Sequence, residues 1–213
     1  IFFWTCLIIA FSISAFLLIV TASGYHFDFS NRTVEKTAII AFKTVPREAI
    51  VYIDGKALDK KTPLKLSNIF PDRYDLKIEK AGYLSWQKSL VVEGGLAYDF
   101  DKVVLFLSQP VVERLDKSQN GGIGAAVPDE DLFFEGGEIY FKNKLVTRLS
   151  QKIDNAILYP DKNHITFQIM DEIRIVELDG ANNTLLVKLE HPEKTVFGFQ
   201  DSDILLFQDG EVV

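Results

Sequence analysis

Hydrophobic positions along the chain follow two patterns. Ile1 to Val20 is apolar throughout, with Thr5, Ser12 and Ser14 as mild exceptions, and no charged residue precedes Asp28. As a helix, a run of that length crosses a hydrocarbon core of about 30 Å, which takes roughly 20 residues. It therefore predicts a transmembrane helix or signal anchor over residues 1–24. A cleaved signal peptide is the competing reading, because Thr21-Ala22-Ser23-Gly24 supplies small residues for cleavage. A buried core helix is the other, yet nothing else in the chain is helical enough to cover one. Beyond this run the apolar period shortens to two, in short stretches cut by turn residues, and that predicts strands.

Residues 25–37 alternate polar and aromatic positions and read as a juxtamembrane tether. Thr37–Thr44 then gives a strand. Ala49–Ile53 alternates short and large apolar residues up to Asp54-Gly55, a hairpin signal because the turn needs positive φ. Lys61-Thr62-Pro63 breaks the chain before Leu64, Leu66 and Ile69 resume the pattern. After Pro71-Asp72-Arg73, Tyr74, Leu76 and Ile78 alternate with Asp75, Lys77 and Glu79. Gly82-Tyr83 makes a further turn before Trp86, Leu90 and Val92, and beyond Gly94-Gly95 one more strand is expected over Val103–Leu107, ended by Gln109-Pro110. Residues 38–108 thus read as a small β-module with one packed face and a modest core.

These residues carry a family resemblance. Pro46-Arg47-Glu48-Ala49 leading into Ile50–Ile53 and Asp54-Gly55 is similar to the opening of the PEGA domain. Lys61-Thr62-Pro63-Leu64 resembles that family's Gly-x-Thr-Pro-Leu element, Pro71-Asp72-Arg73-Tyr74 its Pro-Gly-x-Tyr turn, and Gly82-Tyr83 with Trp86 its aromatic ending. The chain departs where Arg47-Glu48 replaces the usual Glu-Gly and where Lys60 and Asp72 replace glycines. The resemblance implies a β-sandwich-like module, commonly carried on bacterial or archaeal surface proteins, with no enzymatic activity of its own.

Residues 109–127, with Asn120-Gly121-Gly122, read as a linker. Over residues 128–213 a pattern recurs. Pro128-Asp129-Glu130-Asp131 precedes Leu132-Phe133-Phe134, Pro160-Asp161-Lys162-Asn163 precedes Ile165-Thr166-Phe167, and Gln200-Asp201-Ser202-Asp203 precedes Ile204–Phe207. Second strands follow at Ile139-Tyr140-Phe141 and Ile173–Leu178, the latter ending in Asp179-Gly180. A period near 40 residues made of strand–turn–strand units predicts β-propeller blades, because no blade buries both faces alone. Pro160-Asp161 through Ile165 and Phe167 to Ile175, Leu178 and Asp179-Gly180 resembles the blades of Tol-type periplasmic propellers. A plain β-sandwich with similar hairpins is the alternative. The start at Ile1 and the end at Val213 read as cut, so the repeats are expected to be truncated.

Charge and composition narrow the function. From Asp28 to Leu107 there are 13 basic residues against 11 acidic, a net +2; from Ser108 onward 10 stand against 19, a net −9. An acidic distal half argues against nucleic acid as partner, since phosphates need a basic footprint. The lysines of the β-module (Lys56, Lys60, Lys61, Lys65, Lys77, Lys80) fall at turns and on polar strand faces, where they also block unwanted strand pairing. Cys6, the single cysteine, lies in the apolar run, so the rest of the chain has no disulfide and no thiolate metal site.

No catalytic or cofactor constellation is expected. His26, His164 and His191 lack metal-ligand spacing and read as surface or loop residues. Asp99 and Asp101 would share a strand face, and Asp129-Glu130-Asp131 and Asp201-x-Asp203 lack the glycine and later glutamate of a calcium loop, so they read as strand starts. Gly121-Gly122-Ile123-Gly124 lacks the strand–helix context of a phosphate or dinucleotide loop. Tyr52, Tyr74, Tyr83 and Trp86 remain, either as core or as a sugar-stacking platform, with Tyr83 and Trp86 nearest a turn and expected to be partly exposed as ligand contacts. The expectation is an all-β, non-catalytic, membrane-anchored extracytoplasmic protein: a transmembrane helix, a PEGA-like β-sandwich and partial propeller-like blades. It would engage envelope polysaccharide, peptidoglycan or protein. The alternatives are the front of a membrane-anchored enzyme, such as a propeller-gated peptidase, and a cytoplasm-facing sensor module.

Overall fold

The computed structural model describes residues 2–29, 32–113, 129–200 and 204–208. Most of the predicted linker, Gln200-Asp201-Ser202-Asp203 beyond its first residue, and the last turn at Asp209-Gly210 lie outside them. The chain divides into two compact units, Ile1–Ser108 and Gln109–Val213.

The first unit opens with helix α1 (Phe2–Ala22), apolar on every side and with no buried residue. Twelve of its large apolar side chains, Phe2 to Ile19, are exposed. Leaving that many in water forfeits on the order of 20 kcal/mol, more than the typical net stability of a domain, about 5–15 kcal/mol. By length and composition α1 can cross a membrane; it marks the chain for membrane association or secretion. Within the expected tether, β1 (Tyr25–Asp28) pairs antiparallel with β2 (Thr33–Lys36).

Seven strands follow in two sheets: β3 (Ala38–Val45), β4 (Ile50–Ile53), β5 (Lys56–Lys61), β6 (Leu64–Ile69), β7 (Asp72–Glu79), β8 (Trp86–Val92) and β9 (Ala97–Val104). One sheet has the order β6-β3-β9, with β3 and β9 parallel, and the other the order β5-β4-β7-β8. Ile40 and Phe42 from the first sheet meet Val51, Leu76, Ile78 and Trp86 from the second in one shared core, and this makes the module a β-sandwich. Two strands escape the sequence pattern. β5, Lys-Ala-Leu-Asp-Lys-Lys, is too polar to register, and it can be polar because it forms a sheet edge. β9 starts six residues before the expected Val103, since pairing with β3 holds Tyr98 to Asp101 in extended form although aspartates interrupt the apolar run.

The Thr-Pro element has a definite structural task. Thr62 is buried, its Oγ1 accepts the Ala49 amide at 3.0 Å and lies 2.5 Å from Thr44 Oγ1, so one hydroxyl joins β3 to the entrance of β4.

The second unit consists of successive antiparallel meanders: β10 (Leu132–Glu135), β11 (Glu138–Phe141) and β12 (Lys144–Arg148); then β13 (Ile153–Leu158), β14 (His164–Ile169), β15 (Glu172–Glu177) and β16 (Thr184–Lys188); then a turn of 3-10 helix at Pro192–Lys194 and β17 (Val196–Gln200) with β18 (Ile204–Gln208). Ile139 and Val146 of the first meander pack with Ile165, Phe167 and Val176 of the second, while Ile157 and Ile173 on its other side pack with Phe197 of the third. The middle sheet is therefore sandwiched, and every residue of β14 is buried. None of these sheets closes on itself among the described residues, so the architecture established is a stack of meanders.

The recurrent Pro-Asp lead has a local cause. Asp129 Oδ1 accepts the Asp131 amide at 2.9 Å and Asp161 Oδ1 the Asn163 amide at 2.7 Å, two Asx turns that each deliver the chain into a strand.

Candidate functional site

The four-stranded sheet of the first unit turns alternate residues to the core and to its open face. Val51, Leu76 and Ile78 point inward, which places Tyr52 and its cross-strand partner Lys77 outward, with Glu79 two residues on along β7. The Lys77 ammonium lies 5.7 Å from the centre of the Tyr52 ring and 2.5 Å from Glu79 Oε1. The Tyr52 hydroxyl donates to Glu79, and that bond, helped by burial, raises the phenol above its usual 10.0. Glu79 is drawn below its usual 4.5, first by its bond with Lys77 and further by the tyrosine hydroxyl, which together outweigh the opposing effect of burial. Beside them the Ser89 hydroxyl donates to Asp75 across β7 and β8, and Asp54 Oδ1 accepts the Asp75 amide at 2.9 Å. Gln87 and Val91 extend the same exposed face.

This arrangement combines an aromatic ring, an ammonium and two carboxylates on a rigid, hydrogen-bonded surface. A phenol raised in pKa stays protonated at neutral pH, so Tyr52 is a hydrogen-bond donor and a stacking surface rather than a nucleophile. Rings and charged hydrogen-bonding groups so placed suit non-covalent recognition of polar polymers.

Of the two aromatics expected to be partly exposed, Tyr83 is and Trp86 is not. Trp86 is only 5% exposed; its ring meets Phe100 edge-on at 5.5 Å, and Phe100 stacks on Phe42 at 5.2 Å. Its expected partial exposure is thus corrected: Trp86 heads β8 opposite Ile78, whose side chain points into the core. Tyr83 is half-buried against the same core, its amide bonded to Lys80 O and its backbone bridged to Leu107. Tyr74 packs on the core as well, its hydroxyl donating to Phe70 O at 3.0 Å. Tyr52 is thus the aromatic of the four that the open face presents. The signal for it is in the sequence: Val51 and Ile53 flank it, and if they face inward it faces out.

The histidines and acidic pairs do not assemble. His26 lies by Thr37 Oγ1 at 3.2 Å and Gly24 O at 3.4 Å, and His191 is exposed. His164 departs from the expected turn position: it opens β14, is buried, and lies 2.7 Å from Asp161 Oδ2, because the third meander covers that face. Asp99 and Asp101 share the exposed side of β9. Among the described residues no three His, Cys, Asp or Glu side chains converge as a metal site would need. In the second unit a depression of about 310 Å³ is lined by Gln151, Met170, Glu172, Arg174 and Asn183 among others, but Arg174 is committed to Glu172 Oε2 at 2.7 Å and to Asn183 Oδ1 at 2.7 Å.

Residues 37–104 match the PEGA domain, in agreement with the resemblance carried by the Thr-Pro, Pro-Asp and Gly-Tyr elements. No curated protein matches the chain.

Proposed function

We propose that this is a non-catalytic, membrane-anchored protein of the cell envelope that holds a binding surface on the extracytoplasmic side, with the meanders of the second unit serving as propeller-like blades. The observation that carries the binding reading is the open face of the PEGA sandwich, where the half-buried Tyr52 stands with Lys77 and Glu79 as one outward-facing aromatic and charged group. The uncovered apolar helix supports anchoring, and the PEGA match fits a surface module. The stacking of a four-stranded meander between two neighbours, in chain order, supports the blade reading. Peptidoglycan, envelope polysaccharide and protein are the ligand classes whose hydroxyls, amides and charges this face complements.

Full chain in detergent micelles, passed over immobilised peptidoglycan and acidic polysaccharide, tests the reading. Tyr52→Ala should reduce retention about tenfold, the loss expected when one outward-facing aromatic anchor worth ~1.4 kcal/mol is removed. Equal retention of wild type and Tyr52→Ala, or none of either, would remove the open face from function.

A further inference from the structure

The β1–β2 hairpin has its polarity inverted for a protein surface in water. Asp28, on one face, is buried, and His26 beside it is half-buried. Tyr25, Phe27 and Phe29, on the other face, are 41%, 46% and 85% exposed, and the Phe27 and Phe29 rings meet edge-on at 4.9 Å. Val34, directly opposite Phe27, is 57% exposed, and Lys36 stands opposite Tyr25. Alternation in a two-stranded ribbon would turn the aromatics inward if water bathed its outer face.

The hairpin is also fixed in place. Gly24, with φ 84, ends the helix by donating to Thr21 O, and its own carbonyl accepts the Thr37 amide at 2.9 Å and the Thr37 hydroxyl at 3.1 Å. Gly95 donates to Thr37 O, and a Cβ on Gly94 would stand 2.3 Å from Lys36 O. Helix end, hairpin and sandwich are therefore one hydrogen-bonded junction without a slack tether. The 21 residues of α1 span ~31 Å at 1.5 Å each, matching the ~30 Å hydrocarbon core. Tyr25, three residues past Ala22, is then within about 10 Å of the core boundary, in or beside the headgroup layer, which is about 5–8 Å thick per leaflet.

We propose that the β1–β2 hairpin is a membrane-interface foot that lays Tyr25, Phe27 and Phe29 into the lipid headgroup layer. Aromatic rings favour that zone. The foot would hold the sandwich at a set height and tilt over the bilayer. This inference rests on the anchoring reading above, and its test separates the two.

The test is nitroxide labelling of the full chain in phosphatidylcholine–phosphatidylglycerol vesicles, reading collision with oxygen against a water-soluble nickel chelate. Native Cys6, exposed on α1, reports the helix. On a Cys6→Ser background, Phe27→Cys and Phe29→Cys report the foot and Val91→Cys the water-facing sheet, with β content checked by circular dichroism. The oxygen-to-chelate ratio at positions 27 and 29 should exceed that at 91 about threefold or more, and lie below that at Cys6. Ratios at 27 and 29 equal to that at 91, with Cys6 in lipid, would overturn the foot and leave the anchor standing. Label mobility at 27 and 29 that is restricted equally without lipid would assign the face to a protein partner instead. A water-like ratio at Cys6 would overturn anchor and foot together.

Discussion

Glu48 stands where the PEGA pattern usually has glycine, and its φ is 64. The turn into β4 therefore keeps the left-handed conformation although the residue best suited to it is gone. Glu48→Gly should raise the unfolding free energy by about 1 kcal/mol, the left-handed cost of a side chain less the extra chain entropy of glycine; thermal denaturation of both proteins in micelles measures it. Lys60 and Asp72, at the two other replaced glycines, lie inside β5 and β7 and have no positive φ, so their substitution costs no comparable strain. Single residues were legible in the sequence where local geometry alone set them: Asp54, with φ 49, and Gly55, with φ 76, make the predicted hairpin turn. They were less legible where a neighbour in space decided. Trp86 and Tyr52 differ in burial because one faces the opposing sheet and the other does not; local alternation shows that Tyr52 lies on the face opposite Val51 and Ile53, but not which of the two faces is covered.

At the scale of elements, β14 shows what period-two reading misses. A strand with one covered face alternates, but His164–Ile169 is buried throughout, because meanders lie on both sides of it. Its inner polar residues must then find partners. Gln168 donates to Pro192 O at 2.8 Å, and His164 meets Asp161, whereas the Thr166 hydroxyl has no hydrogen-bond partner among the described residues. Thr166→Val, nearly isosteric, should stabilise the second unit by about 1 kcal/mol, since it removes an unsatisfied buried group; a lowered denaturant midpoint would show that the hydroxyl is satisfied in solution. The opposite failure occurs at β5, where a strand of mostly charged residues forms because an edge needs hydrogen bonds more than burial.

Across the whole molecule, each unit carries a carboxylate drawn below 4.5: Glu79 by Lys77 and Tyr52, and Glu138 by the Tyr140 hydroxyl, 2.5 Å away, and then by Arg148. A carboxylate depressed in the folded state adds stability that is present above the unfolded value and is lost as pH falls through the folded one. The thermal midpoint should therefore hold from neutrality to about pH 5 and fall below about 4.5. Glu79→Gln with Glu138→Gln should shallow that fall in a pH series of melts, and salt should weaken the effect because both sites are open to solvent. Covalent order alone was enough to set the apolar helix, the β character of the rest, the turns at Asp54-Gly55 and Gly82, and the PEGA elements, since each depends on neighbours within a few residues. Distant contacts set the remainder. The parallel seating of β9 on β3, the burial of Trp86 and His164, the outward turn of Tyr52 and the inverted hairpin after α1 all depend on which faces are covered by strands far along the chain, and a period of two says only that there are two faces.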